Sequence, residues 1–267
     1  MLKKIIQTVV FMTLIGLPSL AQMGSGSAFG VSVDVSGNTI DGTVNSGPEV
    51  SPTPFVQLMD QTTSDTQSVT LANADLMEYE ASSSSNVASV ITSYDATLGA
   101  QSQMSSATIN DADVLVGTLV VGNFITITAT NITTAAEITG ACGSAGDMDL
   151  VESGSSSVVG LTVSVLGVNL VNNLTTSSPT TINIASTALG LLGVTGSLSV
   201  NRVTVNDGGA SGTGSVDAVG LELTVQADAG ALGLGNTAGI QLIMASSSAS
   251  RDCDSLSVEL LSFSIDD

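Results

Sequence analysis

The stretch Phe124-Ile-Thr-Ile-Thr-Ala-Thr130 sets an apolar residue at every second position from Ile125 and a threonine between each pair. Period two is the signature of a strand with one face buried and one face wet. Val, Ile and Thr are stiff at χ1 and pack well on a pleated surface, so composition and period agree. The same grammar recurs along the chain. It is seen in Val31 to Val35, Val87 to Thr92, Ser105 to Ile109, Val114 to Val121, Leu161 to Val165, Thr181 to Ile184, Leu198 to Val205, Leu221 to Val225 and Ile240 to Ile243. Asn110 to Asp113 and Gly122-Asn123 read as turns between strands. Asn206-Asp-Gly-Gly209 is the strongest turn signal, because glycine tolerates positive φ. Many short strands joined by Gly, Ser and Asn turns predict an all-β fold with antiparallel β-sandwich-like domains. A β-solenoid is the alternative, disfavoured by the lack of a fixed repeat.

Other stretches lack this pattern. Residues 22–30 (QMGSGSAFG) are expected to form a flexible arm. Ser46-Gly-Pro and Ser51-Pro-Thr-Pro54 suggest an extended linker or sheet edge, since proline removes a ladder donor. Residues 57–86 are polar and poorly patterned, and Ser82 to Ser85 reads as a loop. The expected organisation is a leader over 1–21, an arm, strand and Pro-rich linker over 22–56, and a β-rich domain over 57–267. That domain has a candidate subdomain boundary near 145–157.

The leader sets the expected compartment. Lys3 and Lys4 precede an apolar stretch from Ile5 to Leu17, and Ser19-Leu-Ala21 ends it in the small-x-small form that a signal peptidase accepts. The stretch is too short to span a bilayer comfortably. The chain is expected to be secreted, extracellular or at the cell surface, with no transmembrane segment once the leader is gone. Removing the leader leaves two cations, Arg202 and Arg251, against 24 Asp and Glu, a net of −22. Such a chain repels phosphate, so nucleic acid is excluded as a main partner. Hydrophobic residues nevertheless make up 43% of the chain, which argues against acidic disorder.

The sequence also restricts chemistry. It holds no His, and no Lys beyond the leader, so imidazole triads, zinc–imidazole sites and Schiff bases are out of reach. Carboxylate chemistry survives, but Glu78 and Glu80 beside Tyr79 are the nearest approach to a sugar-cleaving pair, in a chain with no Trp. The expectation is a non-catalytic protein. Calcium is the more plausible use of its carboxylates, because hard cations collect oxygen ligands from loops. Asp111 and Asp113 form one candidate cluster and Asp147 and Asp149 another, with further Asp residues at 252, 254, 266 and 267. Solvated turn carboxylates are the simpler reading of each cluster. Export also makes a disulfide between Cys142 and Cys253 the natural expectation, worth about 4–5 kcal/mol at most by loop closure. Two buried free thiols are the alternative.

SAFGVSV (27–33), TGACG (139–143), VVGLTVSVLGVNL (158–170), SPTTINI (178–184), GVTGSLSVNRVTV (193–205), GSVDAVGLELTV (214–225) and IQLIMASSSASRDC (240–253) occur in that order. Together they resemble the choice-of-anchor P family of secreted bacterial surface proteins. In that family a similar string of strands ends in a second Cys. The resemblance implies a surface location and no particular activity. Residues 254–267 hold no LPxTG-like sorting signal. The resulting expectation is a structural surface protein, a self-associating fibre or matrix subunit working by strand exchange. Ala28, Val31, Val33 and Val35 are the candidate docking strand. The alternative is a calcium-dependent adhesin or glycan-binding module.

Overall fold

The structure is a computed structural model. It describes residues 22–37, 42–56, 61–76, 79–95, 102–118, 122–140, 150–184, 189, 193–207, 213–228 and 237–252. Its strands are β1 (Gln22–Gly37), β2 (Gly42–Val56), β3 (Gln61–Leu76), β4 (Tyr79–Asp95), β5 (Ser102–Thr118), β6 (Gly122–Thr139), β7 (Val151–Val165), β8 (Val168–Thr176), β9 (Thr180–Asn183), β10 (Val194–Asn206), β11 (Thr213–Asp228) and β12 (Thr237–Asp252). They form two antiparallel six-stranded sheets, one in the order β2-β1-β12-β11-β10-β9 and the other in the order β3-β4-β5-β6-β7-β8. We call these the outer-order sheet and the consecutive sheet. The chain lays down two strands in the first, runs six consecutive strands through the second, and returns for four more. The last of these, β12, pairs with the first, from Gly24↔Arg251 to Gly37↔Ala238. The sheets stack with β10 over β7, β11 and β12 over β6, and β1 over β4 and β5. One apolar core joins them, from Ala28 and Val31 through Ile127 and Leu161 to Leu223 and Met244. This is the expected sandwich, and the antiparallel ladders set the solenoid aside.

Three expectations are corrected. The arm and linker over 22–56 are two strands of the sandwich, because β1 is flanked by both β12 and β2. The prolines of β2 are tolerated because β2 is the edge of its sheet. The serine run 82–85 lies within β4 rather than in a loop. Ser83 and Ser85 are buried, and their hydroxyls bond at 3.0 Å. A boundary near 145–157 does not divide the core, which draws on strands before and after it. The chain instead changes sheets at Ser177 to Pro179, between β8 and β9. The leader lies outside the described residues.

Asn110 to Asp113, read as a turn, lies inside the single strand β5 and marks the main irregularity of the fold. In β5 the buried positions are Gln103, Ser105, Ala107 and Ile109, and then Ala112, Val114 and Val116. The alternation slips by one residue at Asp111. In β6 the buried set passes from Ile125, Ile127 and Ala129 to Ile132, Thr134, Ala136 and Ile138. In β12 it passes from Ile240, Leu242 and Met244 to Ala245, Ser247, Ala249 and Arg251. The consecutive sheet has two successive residues off the core at the slip, as at Thr130-Asn131 and Val159-Gly160. The other sheet has two successive residues in it, as at Gly30-Val31, Val200-Asn201 and Gly220-Leu221. Asp111 (φ 53°), Gly160 (φ 69°), Asn201 (φ 54°) and Ala245 (φ 52°) all lie on this line, so in β5, β7, β10 and β12 the bend is made by a left-handed backbone step. One sheet bends toward the other along a transverse crease. The sheets approach closely there: a Cβ on Gly220 would collide with Ile132, and one on Gly30 with Val87.

Candidate functional site

The crease positions the first candidate. Asp111 and Asp113 are exposed on β5 and border an open depression of about 280 Å³ lined also by Thr128, Thr130 and Gly160. Carboxylates and threonine hydroxyls therefore converge where the sheet bends outward. Among the described residues no three acidic, Cys or His side chains come together as a metal site. Two carboxylates fall short of the six to eight oxygens that calcium collects, unless waters or other groups complete the set. Asp147 and Asp149 lie outside the described residues.

Cys142 and Cys253 also lie outside them. The chain just before each is tied together: Arg251 Nη1 donates to the Gly140 carbonyl at 2.6 Å. Arg251 is 2% exposed, and its guanidinium lies 5.9 Å from the centre of the Tyr94 ring. Burial pulls the Arg251 pKa below its ordinary value, and Tyr94 partly offsets this. Burial pushes the Tyr94 phenol up, against the opposing effect of Arg251. Nearby, the Gln103 side-chain amide donates to the Ser25 carbonyl and so links the two sheets. Gln103 Oε1, Thr134 Oγ1 and Ser247 Oγ are buried without a hydrogen-bond partner. Sequence reading passed over this polar interior because each of these residues sits at an ordinary inward strand position. The signal lay in Arg251, a lone cation at the end of an alternating strand.

A second cross-link sits on the crease. Ser156 Oγ donates to Asn201 Oδ1 at 2.8 Å, and Asn201 Nδ2 donates to the Thr176 carbonyl at 2.7 Å. Asn201 is fully buried and joins β10 to both β7 and β8. On the outward face of the β1–β12 ladder, hydroxyls pair, Ser25 with Ser250 at 2.9 Å and Ser27 with Ser248 at 2.8 Å. Arg202 and Glu222 form an ion pair at 2.8 Å. It is partly exposed, and such pairs contribute little.

The candidate docking strand is placed differently from its expected role. Ala28 and Val31 are buried in the core. Val33 lies opposite Leu242 on one side and Val44 on the other, and Val35 opposite Ile240 and Gly42. Both edges of this strand are engaged within the chain, so it offers no free edge to a neighbour. The edge strands are β2 and β9 in one sheet and β3 and β8 in the other. The short β9 pairs only with Ser197 to Val200, so Arg202 to Asn206 of β10 are laddered on the β11 side alone among the described residues. The last strand of the consecutive sheet is β8.

These features define an all-β sandwich with a creased body and a pair of edge strands at each flank, β2 and β3 at one and β9 and β8 at the other. Compared with known proteins, the chain matches no family model, no curated protein and no solved structure.

Proposed function

We propose that this chain is a secreted, non-catalytic structural protein of the cell surface or extracellular space that assembles through sheet edges. The carrying observation is the partial cover of β10 by β9, which among the described residues leaves Arg202 to Asn206 with a ladder on one side. An unpaired run of backbone N–H and C=O groups is a template for another strand. The export-type leader and the resemblance to choice-of-anchor P proteins support the location. Because β1 is engaged, assembly here means pairing of edges rather than donation of the 22–36 strand. Negative-stain microscopy with sedimentation of purified protein tests the reading. Defined assemblies are expected, and monodisperse monomers at every salt concentration would overturn it.

The depression beside Asp111 and Asp113 favours a second reading, a calcium-dependent adhesin or glycan-binding module. A cation held by the folded state raises its melting point by linkage. A midpoint unchanged between chelator and millimolar calcium, at fixed ionic strength, would remove that reading.

A further inference from the structure

The charge of the chain is unevenly placed. From Ser153 to Asn206 the sequence contains no Asp or Glu, against 24 in the whole chain, and Arg202 is its single cation. That stretch supplies most of β7, all of β8 and β9, and β10. These strands form one flank of the sandwich, with β8 and β9 as the outermost strands of the two sheets. The opposite flank, made of β2 and β3, carries Glu49, Asp65 and Asp75 in its strands.

The same flank exposes apolar side chains. Among the described residues, six of the seven exposed large hydrophobics lie on β7, β8, the turn between them, and β10: Val151, Val159, Leu166, Val168, Leu170 and Val205. Val168 is 64% exposed. Apart from an irregular register with β7, the β8 strand VNLVNNLTT has none of the usual edge protections: no Lys, no Pro and no charge. It offers about 30 Å of edge.

We propose that this flank binds the same flank of a second copy of the chain, with β8 pairing antiparallel to β8 about a two-fold axis. The argument for a second copy is electrostatic. Two chains of net charge −20 repel wherever carboxylates face each other. Neutral flank against neutral flank is the approach that brings none together, and charges set behind it are screened within about 8–10 Å at physiological salt. A basic partner would be drawn instead to the acid-bearing flank. A two-fold contact is also the commonest closed arrangement for identical subunits. This inference rests on the edge-assembly reading and specifies its surface.

Sedimentation equilibrium of the full chain tests it, with the double variant V168E/L170E and the control M104E. Met104 is exposed at 38% on β5, away from the flank. The expected result is a dimer that tightens as salt is raised, weakened at least tenfold by V168E/L170E and unchanged by M104E, with circular dichroism preserved in both. Hydrogen exchange of the unmodified chain at two concentrations gives a readout independent of how the variants fold. The β8 amides are expected to exchange more slowly in the concentrated sample. Self-association indifferent to V168E/L170E, or β8 exchange independent of concentration, overturns the flank while edge assembly stands. A monomer under all conditions overturns both.

Discussion

On the side of the crease toward Ile240 and Val165, the interior is filled by Leu161, Leu198, Leu221, Leu223 and Leu242. On the side toward Arg251 and Gln103, many inward positions hold Ala107, Thr134, Ala136, Ala218, Ser247 and Ala249, with Ile109, Ile132 and Ile138 between them. The same strands thus enclose two interiors. A fully buried leucine contributes about 1.5–3 kcal/mol relative to exposure, and an alanine much less. The leucine half is held mainly by apolar area. The alanine half relies more on directed bonds: Gln103 to the Ser25 carbonyl, Arg251 to the Gly140 carbonyl, and Ser156 to Asn201 on the crease. Area tolerates small shifts of position, whereas bonds of this kind demand that both sheets be placed correctly.

The largest effect that would sharpen this contrast involves Cys142 and Cys253. Each follows closely on one end of the Arg251–Gly140 bond in the alanine half. Unreduced protein is expected to contain no alkylatable thiol, and reduction to lower stability by up to about 4 kcal/mol. Intact mass after alkylation decides it, and two labelled thiols without reductant would show that no covalent tie supports that half. Next, Leu223→Ala is expected to cost about 3 kcal/mol in denaturant unfolding, and Ala249→Gly in the other half about 1 kcal/mol. Equal costs would erase the distinction.

A smaller effect carries the opposite sign. Thr134 buries a hydroxyl with no partner, so Thr134→Val removes a desolvation penalty and keeps the shape. Stabilisation of up to about 1 kcal/mol is expected. A clear loss instead would mean that the hydroxyl is bonded, through an ordered water for example. The smallest effect is alkaline. The Tyr94 phenol is raised above 10.0 by burial. A pKa raised in the folded state gives stability that is fully present below the unfolded value and is lost as pH rises through the folded one. The melting midpoint is therefore expected to fall faster above pH 10 in the parent than in Tyr94→Phe, and parallel curves would refute the assignment.

Much of the fold was legible in the sequence because a half-buried strand writes its burial as period two. Phe124 to Thr130 lies in β6 and Leu221 to Val225 in β11. The misreadings have separate physical causes. Ser82 to Ser85 is polar, yet two of its hydroxyls satisfy each other inside the sandwich, so polarity misreported burial. Asn110 to Asp113 looked like a turn because a one-residue slip interrupts the period just as a turn does. The prolines of β2 left a linker and a sheet edge both open, and the structure shows the sheet edge. Of the candidate sites, Asp111 and Asp113 were legible as an exposed pair. The neutral flank was equally legible, as a long acid-free interval, but its significance depends on β8 and β9 being outermost strands, which is a matter of topology.

The crease has one more consequence. Strands written in Ser, Thr, Val, Gly and Ala look alike from one position to the next, and a slide of two residues would keep every inward side chain inward. Such a slide would not keep the crease aligned. Gly220 would no longer lie against Ile132, nor Gly30 against Val87, and a side chain would enter a gap that admits none. The bend thus works as an index mark, a notch in each strand that crosses it, by which a sequence of low complexity can find a single alignment among many near-equivalent ones.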